Sequence, residues 1–178
     1  RAGIMANHYL RNRRYHQVFQ NIAIWGYWEN ADRLATGREG DIAVSSIPNG
    51  WLWAIPLHDG TMSVGVVIHK DALAARRELG TEEFYRHCID ASGLVKGIVS
   101  KATRVSDLHT ESDYSYTSEI FAGPGYFLCG DAACFLDPLL SSGVHLATFS
   151  AMLAAASIIS ITDGKVTEEE GASFFEKS

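Results

Sequence analysis

The stretch that decides the reading is Tyr126 to Ala147, YFLCGDAACFLDPLLSSGVHLA. Tyr126 to Cys129 forms a short apolar strand. Gly130-Asp131 ends it and sets a carboxylate at the strand's carboxyl end, where open α/β sheets bind ligands. A carboxylate there accepts hydrogen bonds from ligand hydroxyls, as on a ribose or ribityl chain. A loop from Ala132 to Ser141 carries Pro138. Ser141-Ser142-Gly143 then opens a long helix that runs to about Ile161. Gly143 lets a ligand approach the backbone closely. The unpaired N–H groups and positive end of the helix suit an anion or an electron-rich carbonyl. Ala147, Ala151, Ala154 and Ala155 recur at helical spacing and allow tight packing on a sheet. Gly-Asp alone is a common turn and Ser-Ser-Gly a common cap; their order and spacing together point to a ligand site.

Working outward, Gly123-Pro124-Gly125 is a tight turn before the strand, and Glu168 to Lys177 is a helix after it. Upstream, Asn21 to Tyr27 is β-branched and aromatic, hence a strand. Three more strands follow as a meander: 41–47, 51–57 and 61–68. Pro48-Asn49-Gly50 joins the first two, because Asn-Gly tolerates positive φ, and His58-Asp59-Gly60 joins the next pair. Residues 71–79 read as a helix capped by Asp71 and stopped by Gly80. Thr81 caps a second helix, 82–91, with acids in its first turn. Residues 101–108 and 112–122 are extended, with Tyr114, Tyr116, Ser118 and Ile120 on one face.

Composition narrows the class. The 178 residues are 47 % hydrophobic and 20 % charged, which is globular. A net charge of −6 gives no electrostatic reason to bind nucleic acid or an anionic membrane surface. The three cysteines, Cys88, Cys129 and Cys134, show no CxxC spacing. That argues against a disulfide framework or a structural zinc site and for a reducing, cytoplasmic setting. No histidine pair shares metal spacing with a carboxylate, so no metal is expected. Val144 to Ile161 is apolar, but polar residues interrupt it; it reads as a buried core helix and not a membrane span. Arg11, Arg13 and Arg14 read as a solvated basic face. Arg1 at the start and Ser178 inside an apparent helix suggest a piece of something larger.

GDAACFLDPLLSSGVHLA resembles the second flavin-binding motif of FAD-dependent monooxygenases and, more closely, of flavin-dependent halogenases. Trp51-Leu52-Trp53-Ala54-Ile55-Pro56 is similar to the W-x-W-x-I-P motif that marks the halogenases and is not expected in the hydroxylases. The resemblance spans nearly the whole chain but only the middle of a family member. It implies FAD as cofactor, with Gly130 and Asp131 at the ribityl and pyrophosphate part, Pro138 beside the flavin, and the Gly143 and Val144 N–H groups facing the isoalloxazine. It implies chloride near the Ser142-Gly143 backbone. Trp51 and Trp53 match the two tryptophans that keep substrate away from the flavin. On the residues alone, alternating aromatics on a strand also simply pack one face of a sheet, and both readings can hold.

The resemblance implies an α+β fold within an FAD-binding α/β superfamily. Residues 1–122 would form an antiparallel substrate-domain sheet with inserted helices. Residues 123–178 would supply a strand, loop and long helix to a Rossmann-like FAD domain. The implied activity is chlorination of an electron-rich aromatic, phenolic or pyrrolic, using oxygen, chloride and reduced FAD from a separate flavin reductase. Some such enzymes take their substrate on a carrier protein. Leu140 stands where tryptophan halogenases carry a glutamate, which favours the phenolic or pyrrolic class. No G-x-G-x-x-G occurs: Gly123 and Gly125 fit, but Leu128 stands where the third glycine should be. The family's catalytic lysine lies outside this chain, so the catalytic residue is unassigned. Two alternatives stay open: an FAD-dependent aromatic hydroxylase, or a segment that only packs or binds a partner. His145 could line the flavin pocket or be a packing residue; His58 and His109 read as loop or edge residues.

Overall fold

The computed structural model describes residues 3–112 and 115–178, apart from the side chains of residues 73 and 75. A π-helical turn (Ile4–Tyr9) precedes β1 (Arg13–Tyr15). Then come β2 (Asn21–Glu29), β3 (Ala43–Ile47), β4 (Gly50–Pro56) and β5 (Met62–His69). Three helices follow: α1 (Leu73–Leu79), α2 (Thr81–Asp90) and α3 (Gly93–Ile98). The short strands β6 (Thr103–Arg104), β7 (His109–Ser112), β8 (Tyr116–Ser118), β9 (Ala122–Gly123) and β10 (Tyr126–Phe127) come next. A 3-10 turn (Gly130–Ala132), β11 (Cys134–Phe135), a second such turn (Pro138–Leu140), α4 (Gly143–Thr162) and α5 (Glu168–Lys177) complete the order.

The chain divides into two compact units, Gln20–Ser112 and Arg1–Phe19 with Asp113–Ser178. In the first, an antiparallel sheet has the order β3-β4-β5-β2-β6, and β7 also pairs with β2. Its core face carries Ile22, Ile24, Leu52, Val64, Val66 and Ile68, packed on Phe84, Tyr85, Cys88, Val95 and Ile98 of α2 and α3. Period-2 alternation places these strand residues on one face, and i, i+4 spacing does the same for Phe84 and Cys88. Buried Tyr85 satisfies its hydroxyl twice: it donates to the Val64 carbonyl at 2.9 Å and accepts from Trp28 Nε1 at 3.1 Å. Ser92 caps α3, accepting from the Val95 N–H at 3.2 Å and bonding Ser45 Oγ at 2.8 Å.

In the second unit, β8 lies between β1 and β11, and β9 with β10 forms a hairpin. Glu176 and Glu168 of α5 tie this hairpin down. Glu176 accepts from the Phe121 N–H and, at 2.6 Å, from the Ala122 N–H; Glu168 accepts from the Gly125 N–H at 2.6 Å. A capping box between Thr167 and Glu170 starts α5. Gly171 lets α5 cross α4 closely: a Cβ there would meet Ile161 Cδ1 at 2.6 Å.

Several expectations change. The β3–β4 register pairs Ile47 with Gly50, so the loop residues are Pro48 and Asn49. The turn falls where expected and Asn49 takes the positive φ, 63°, while Gly50 already opens β4. Asp71 does not cap a helix; its carboxylate meets His69 Nδ1 at 3.1 Å, and Ala72 stands at the N-cap of α1. Thr81 is the first residue of α2, and its hydroxyl accepts from the Arg76 guanidinium. Arg13 is not on a solvated face: it is 9 % exposed, with its guanidinium carbon 3.6 Å over the Tyr116 ring. Tyr114, expected on one extended face with Tyr116, lies outside the described residues. The boundary also differs from 122/123. Residues 13–15 and 116–118 pair with each other, and β8 pairs with β11, so both strands join the unit that holds α4.

α4 runs as expected, but it is not a buried core helix here. Only Ala154 and Ser157 are buried, and Val144, Met152, Ile158 and Ile159 are exposed. By length and composition it is apolar enough to cross a membrane, with 11 % of its apolar window buried. The reason is local. Within the described residues, α4 packs on the Gly130 turn and α5 along one stripe, and these cover only that stripe.

Candidate functional site

The site is built where β10 gives way to α4. Leu128 is buried, and its N–H donates to the Phe121 carbonyl at 2.7 Å. The chain then turns at Gly130, whose φ of 52° lies in the left-handed region. A Cβ on Gly130 would sit 2.9 Å from Ala147 Cβ and 3.1 Å from its Cα, so turn and helix both require this glycine. Ser150, one turn further along α4, accepts from the Gly130 N–H at 3.0 Å while its own hydroxyl donates to the Leu146 carbonyl at 2.6 Å. The Ala132 and Ala133 N–H groups close the 3-10 turn onto the Cys129 and Gly130 carbonyls, at 3.1 and 2.9 Å. Asp131 sits in this turn with its side chain exposed.

On the other side of the turn, Asp137 caps the Pro138–Leu140 turn by accepting from the Leu139 N–H at 2.9 Å. Ser141 takes a φ of 52°, rare for a residue with a Cβ, and reverses the chain into α4. Ser142 stands at the N-cap of α4 but makes no side-chain cap. The first N–H groups of a 20-residue helix therefore point outward without that competitor. An open groove of about 570 Å³ results, lined by Gly130, Asp131, Phe135, Gly143, Val144 and Ala147 among others.

Four residues anticipated from the sequence, Gly130, Asp131, Gly143 and Val144, meet in this groove. Pro138 and Ser142 flank it without lining it. A Cβ on Gly143 would meet nothing nearer than Phe135 Cε2 at 3.7 Å, so its glycine leaves space for a ligand and not for packing. Ala147 seats Gly130 and Ala154 is buried as expected, whereas Ala151 and Ala155 are exposed; these two and Ala154 line a separate apolar groove with Tyr126 and Ile158. His145 is exposed and stacks on Phe149, centroids 6.0 Å apart. The donor set fits a flavin nucleotide: one carboxylate for sugar hydroxyls, helix N–H groups for a carbonyl edge or an anion, and a flat wall with no side chain at position 143.

The sequence alone missed Tyr116. It is buried, and its hydroxyl donates to the Asp131 backbone carbonyl. Burial pushes its phenol up, Arg13 opposes and the Asp131 carboxylate adds to the rise. Burial and then Asp131 likewise push the Cys134 thiol up. Among the described residues, no group of three or more His, Cys, Asp or Glu is placed to hold a metal ion.

Trp51 and Trp53 belong to the other unit. They point to the sheet face opposite its core, 5.7 Å apart between centroids. Trp53 Nε1 donates to Ser63 Oγ at 3.1 Å, and its ring lies against Gly65. Trp25 continues the face at 6.5 Å from Trp53, and His109 stacks on Trp25 at 5.3 Å with Tyr27 edge-on at 5.8 Å from the imidazole. The pairing Trp25↔His109 across β2 and β7 builds this stack. The edge position expected for His109 is what the structure shows; its aromatic partners were not legible beforehand.

A strand, an aspartate turn and a glycine-opened helix in one unit, and an antiparallel sheet carrying W-x-W-x-I-P in the other, define a segment of an FAD-dependent halogenase fold. The family model for tryptophan halogenases matches residues 23–177, and the chain belongs to that family. It is 50 % identical over 179 residues to a tryptophan 2-halogenase of Chondromyces crocatus, covering 99 % of this chain and 34 % of that protein. It is 38 % identical to a sulochrin halogenase of Aspergillus terreus, covering 97 % of this chain and 33 % of that protein. Among solved structures, the myxobacterial chondrochloren halogenase CndH superposes with a TM-score of 0.84 at 40 % identity, over 92 % of this chain and 38 % of that one. The flavin-dependent halogenase CmlS gives 0.87 at 34 % identity, over 98 % and 31 %. The chain thus spans about a third of the length of the curated relatives it matches.

Proposed function

We propose that the whole protein is a flavin-dependent halogenase acting on an electron-rich aromatic, and that this chain contributes one wall of the FAD site and a sheet on the substrate side. The observation that carries the reading is the meeting of Gly130, Asp131, Gly143 and Val144 in one groove of a chain that belongs to the halogenase family. Reduced FAD, when bound, supplies the oxygen chemistry that turns chloride into a halogenating agent. The residues of this chain bind and orient. Asp131 accepts hydrogen bonds from the sugar part, and the Gly143 and Val144 N–H groups hold the carbonyl edge. The amino end of α4 at Ser142-Gly143 favours chloride, because an uncapped helix start concentrates N–H donors. Pro138 stiffens the approach to that helix. Trp51 and Trp53, with Trp25 and His109 on the same face, form the aromatic side toward which a flat substrate stacks.

The reductant comes from a separate flavin reductase, the site is cytoplasmic in keeping with three free cysteines, and the substrate is a small aromatic that is free or tethered to a carrier protein. Leu140, 84 % exposed where a glutamate marks tryptophan halogenases, supports a phenolic or pyrrolic substrate. The 50 % identity to a protein named tryptophan 2-halogenase supports an indole instead. The deciding assay supplies the intact protein with FAD, a flavin reductase, NADH, oxygen and chloride, and offers a phenol, a pyrrole and tryptophan. Chlorinated product by mass spectrometry is the expected result, and its parent identifies the substrate class. Hydroxylated product alone at saturating chloride refutes the halogenase reading in favour of a hydroxylase.

A further inference from the structure

Asp131 is exposed, and nothing on its own element fixes the direction of its carboxylate. Its backbone, however, is held from three sides. Ser150 of α4 holds the preceding N–H, the 3-10 turn closes on the Cys129 and Gly130 carbonyls, and the Tyr116 hydroxyl donates to the Asp131 carbonyl. The first two bonds are local to the strand-turn-helix motif. The third comes from another strand, 15 residues away, and reaches the one residue of the turn that faces the groove with a charge. Tyr116 is itself tightly set. It is 4 % exposed in the middle strand of its sheet, opposite Tyr15 on one side and Phe135 on the other. The buried Arg13 guanidinium covers its ring at 3.6 Å. A cation on the ring face is an attraction that strengthens when water is excluded. Arg13 also hydrogen-bonds the Tyr116 hydroxyl, which accepts there and donates its own proton to the carbonyl at position 131.

We propose that Tyr116 is a positioning residue for Asp131, fixing through its hydroxyl the backbone carbonyl of that residue and so the angle at which the carboxylate enters the groove, with Arg13 clamping the ring. The inference rests on the reading of Asp131 as a flavin-contacting residue. The ring acts as a spacer and the oxygen as the contact, so Tyr116→Phe removes the contact to Asp131, and with it the Arg13 bond to the hydroxyl, and keeps the ring with the guanidinium over its face.

The test titrates oxidised FAD into the deflavinated intact protein and reads the dissociation constant from flavin fluorescence and absorbance, with melting temperature recorded alongside. The variants are Tyr116→Phe, Asp131→Ala and both together. Tyr116→Phe is expected to weaken FAD about three- to tenfold, the range one neutral hydrogen bond spans. Asp131→Ala is expected to weaken it more, because a charge-assisted contact is lost. With the carboxylate gone there is nothing left to aim, so adding Tyr116→Phe to Asp131→Ala leaves the affinity where Asp131→Ala put it. Equal weakening by Tyr116→Phe in both backgrounds shows a general structural role and overturns the proposal. So does wild-type affinity in Tyr116→Phe while Asp131→Ala is impaired. Unchanged affinity in Asp131→Ala removes Asp131 from the flavin site, and the role of Tyr116 falls with that reading.

Discussion

Gly65→Ala in β5 tests how the tryptophan face is seated. The β4–β5 register sets Gly65 opposite Trp53, and the indole lies across the glycine. A Cβ built there would stand 2.1 Å from Cζ2, 2.4 Å from Cε2 and 2.5 Å from Cη2 of Trp53. Carbon atoms rest at about 3.5–4.0 Å, so the indole must retreat by roughly 1.5 Å. A retreat of that size breaks the 3.1 Å hydrogen bond from Nε1 to Ser63 Oγ. The lost bond is worth about 0.5–1.5 kcal/mol net, and the forced repacking adds about 1–3 kcal/mol. Against this stands a gain of about 0.5–1 kcal/mol, because Gly65 has ordinary strand backbone and alanine is less free when unfolded. The balance is a loss of about 0.5–4 kcal/mol. Urea unfolding of the intact protein, followed by tryptophan fluorescence, reads it. The control is Trp53→Ala, which removes what the new methyl strikes: in that background Gly65→Ala should be neutral or slightly stabilising. Equal effects of Gly65→Ala with and without Trp53 would show that the indole does not rest on this glycine.

Three further outcomes are expected. Gly130→Ala combines a left-handed φ with a clash on Ala147, so it should cost about 2–4 kcal/mol and weaken FAD binding; adding Ala147→Gly relieves the clash but not the φ, and complete rescue would show that backbone strain is absent. Thr167→Ala removes half of the α5 capping box and should cost about 1 kcal/mol in urea unfolding, with a shift under 0.3 kcal/mol refuting the cap. Burial pushes the Cys88 thiol up to about 11, so the unfolded chain ionises it first and stability falls as pH rises from about 9 to about 11. Cys88→Ala should flatten that limb, leaving the part due to buried Tyr85, whose phenol burial also raises; an unchanged limb in Cys88→Ala would remove the thiol as its cause.

The parts of this site legible in the sequence are those whose partners lie within one local motif. Gly130, Asp131, Gly143 and Val144 span 15 residues of strand, turn and helix, and local geometry alone folds them around one groove. The residues that were not legible need strand register. Tyr116 reaches Asp131, and Arg13 reaches Tyr116, only because β8 takes its place between β1 and β11. Three close basic residues look like a solvated face until one of them is found over an aromatic ring. Trp25 meets His109 through a pairing between residues more than 80 apart, which no periodicity displays. Hydropathy misled in the opposite direction at α4. An apolar pattern states what a helix is able to bury, whereas burial needs a surface to cover it, and within the described residues one stripe, with Ala147, Leu153, Ala154 and Ser157, has one. The same asymmetry orders the experiments. Variants within the local motif test a reading already implicit in the residues, while Tyr116→Phe and Gly65→Ala test contacts that exist only if the register is right, so they are the sharper tests of the fold as well as of the site.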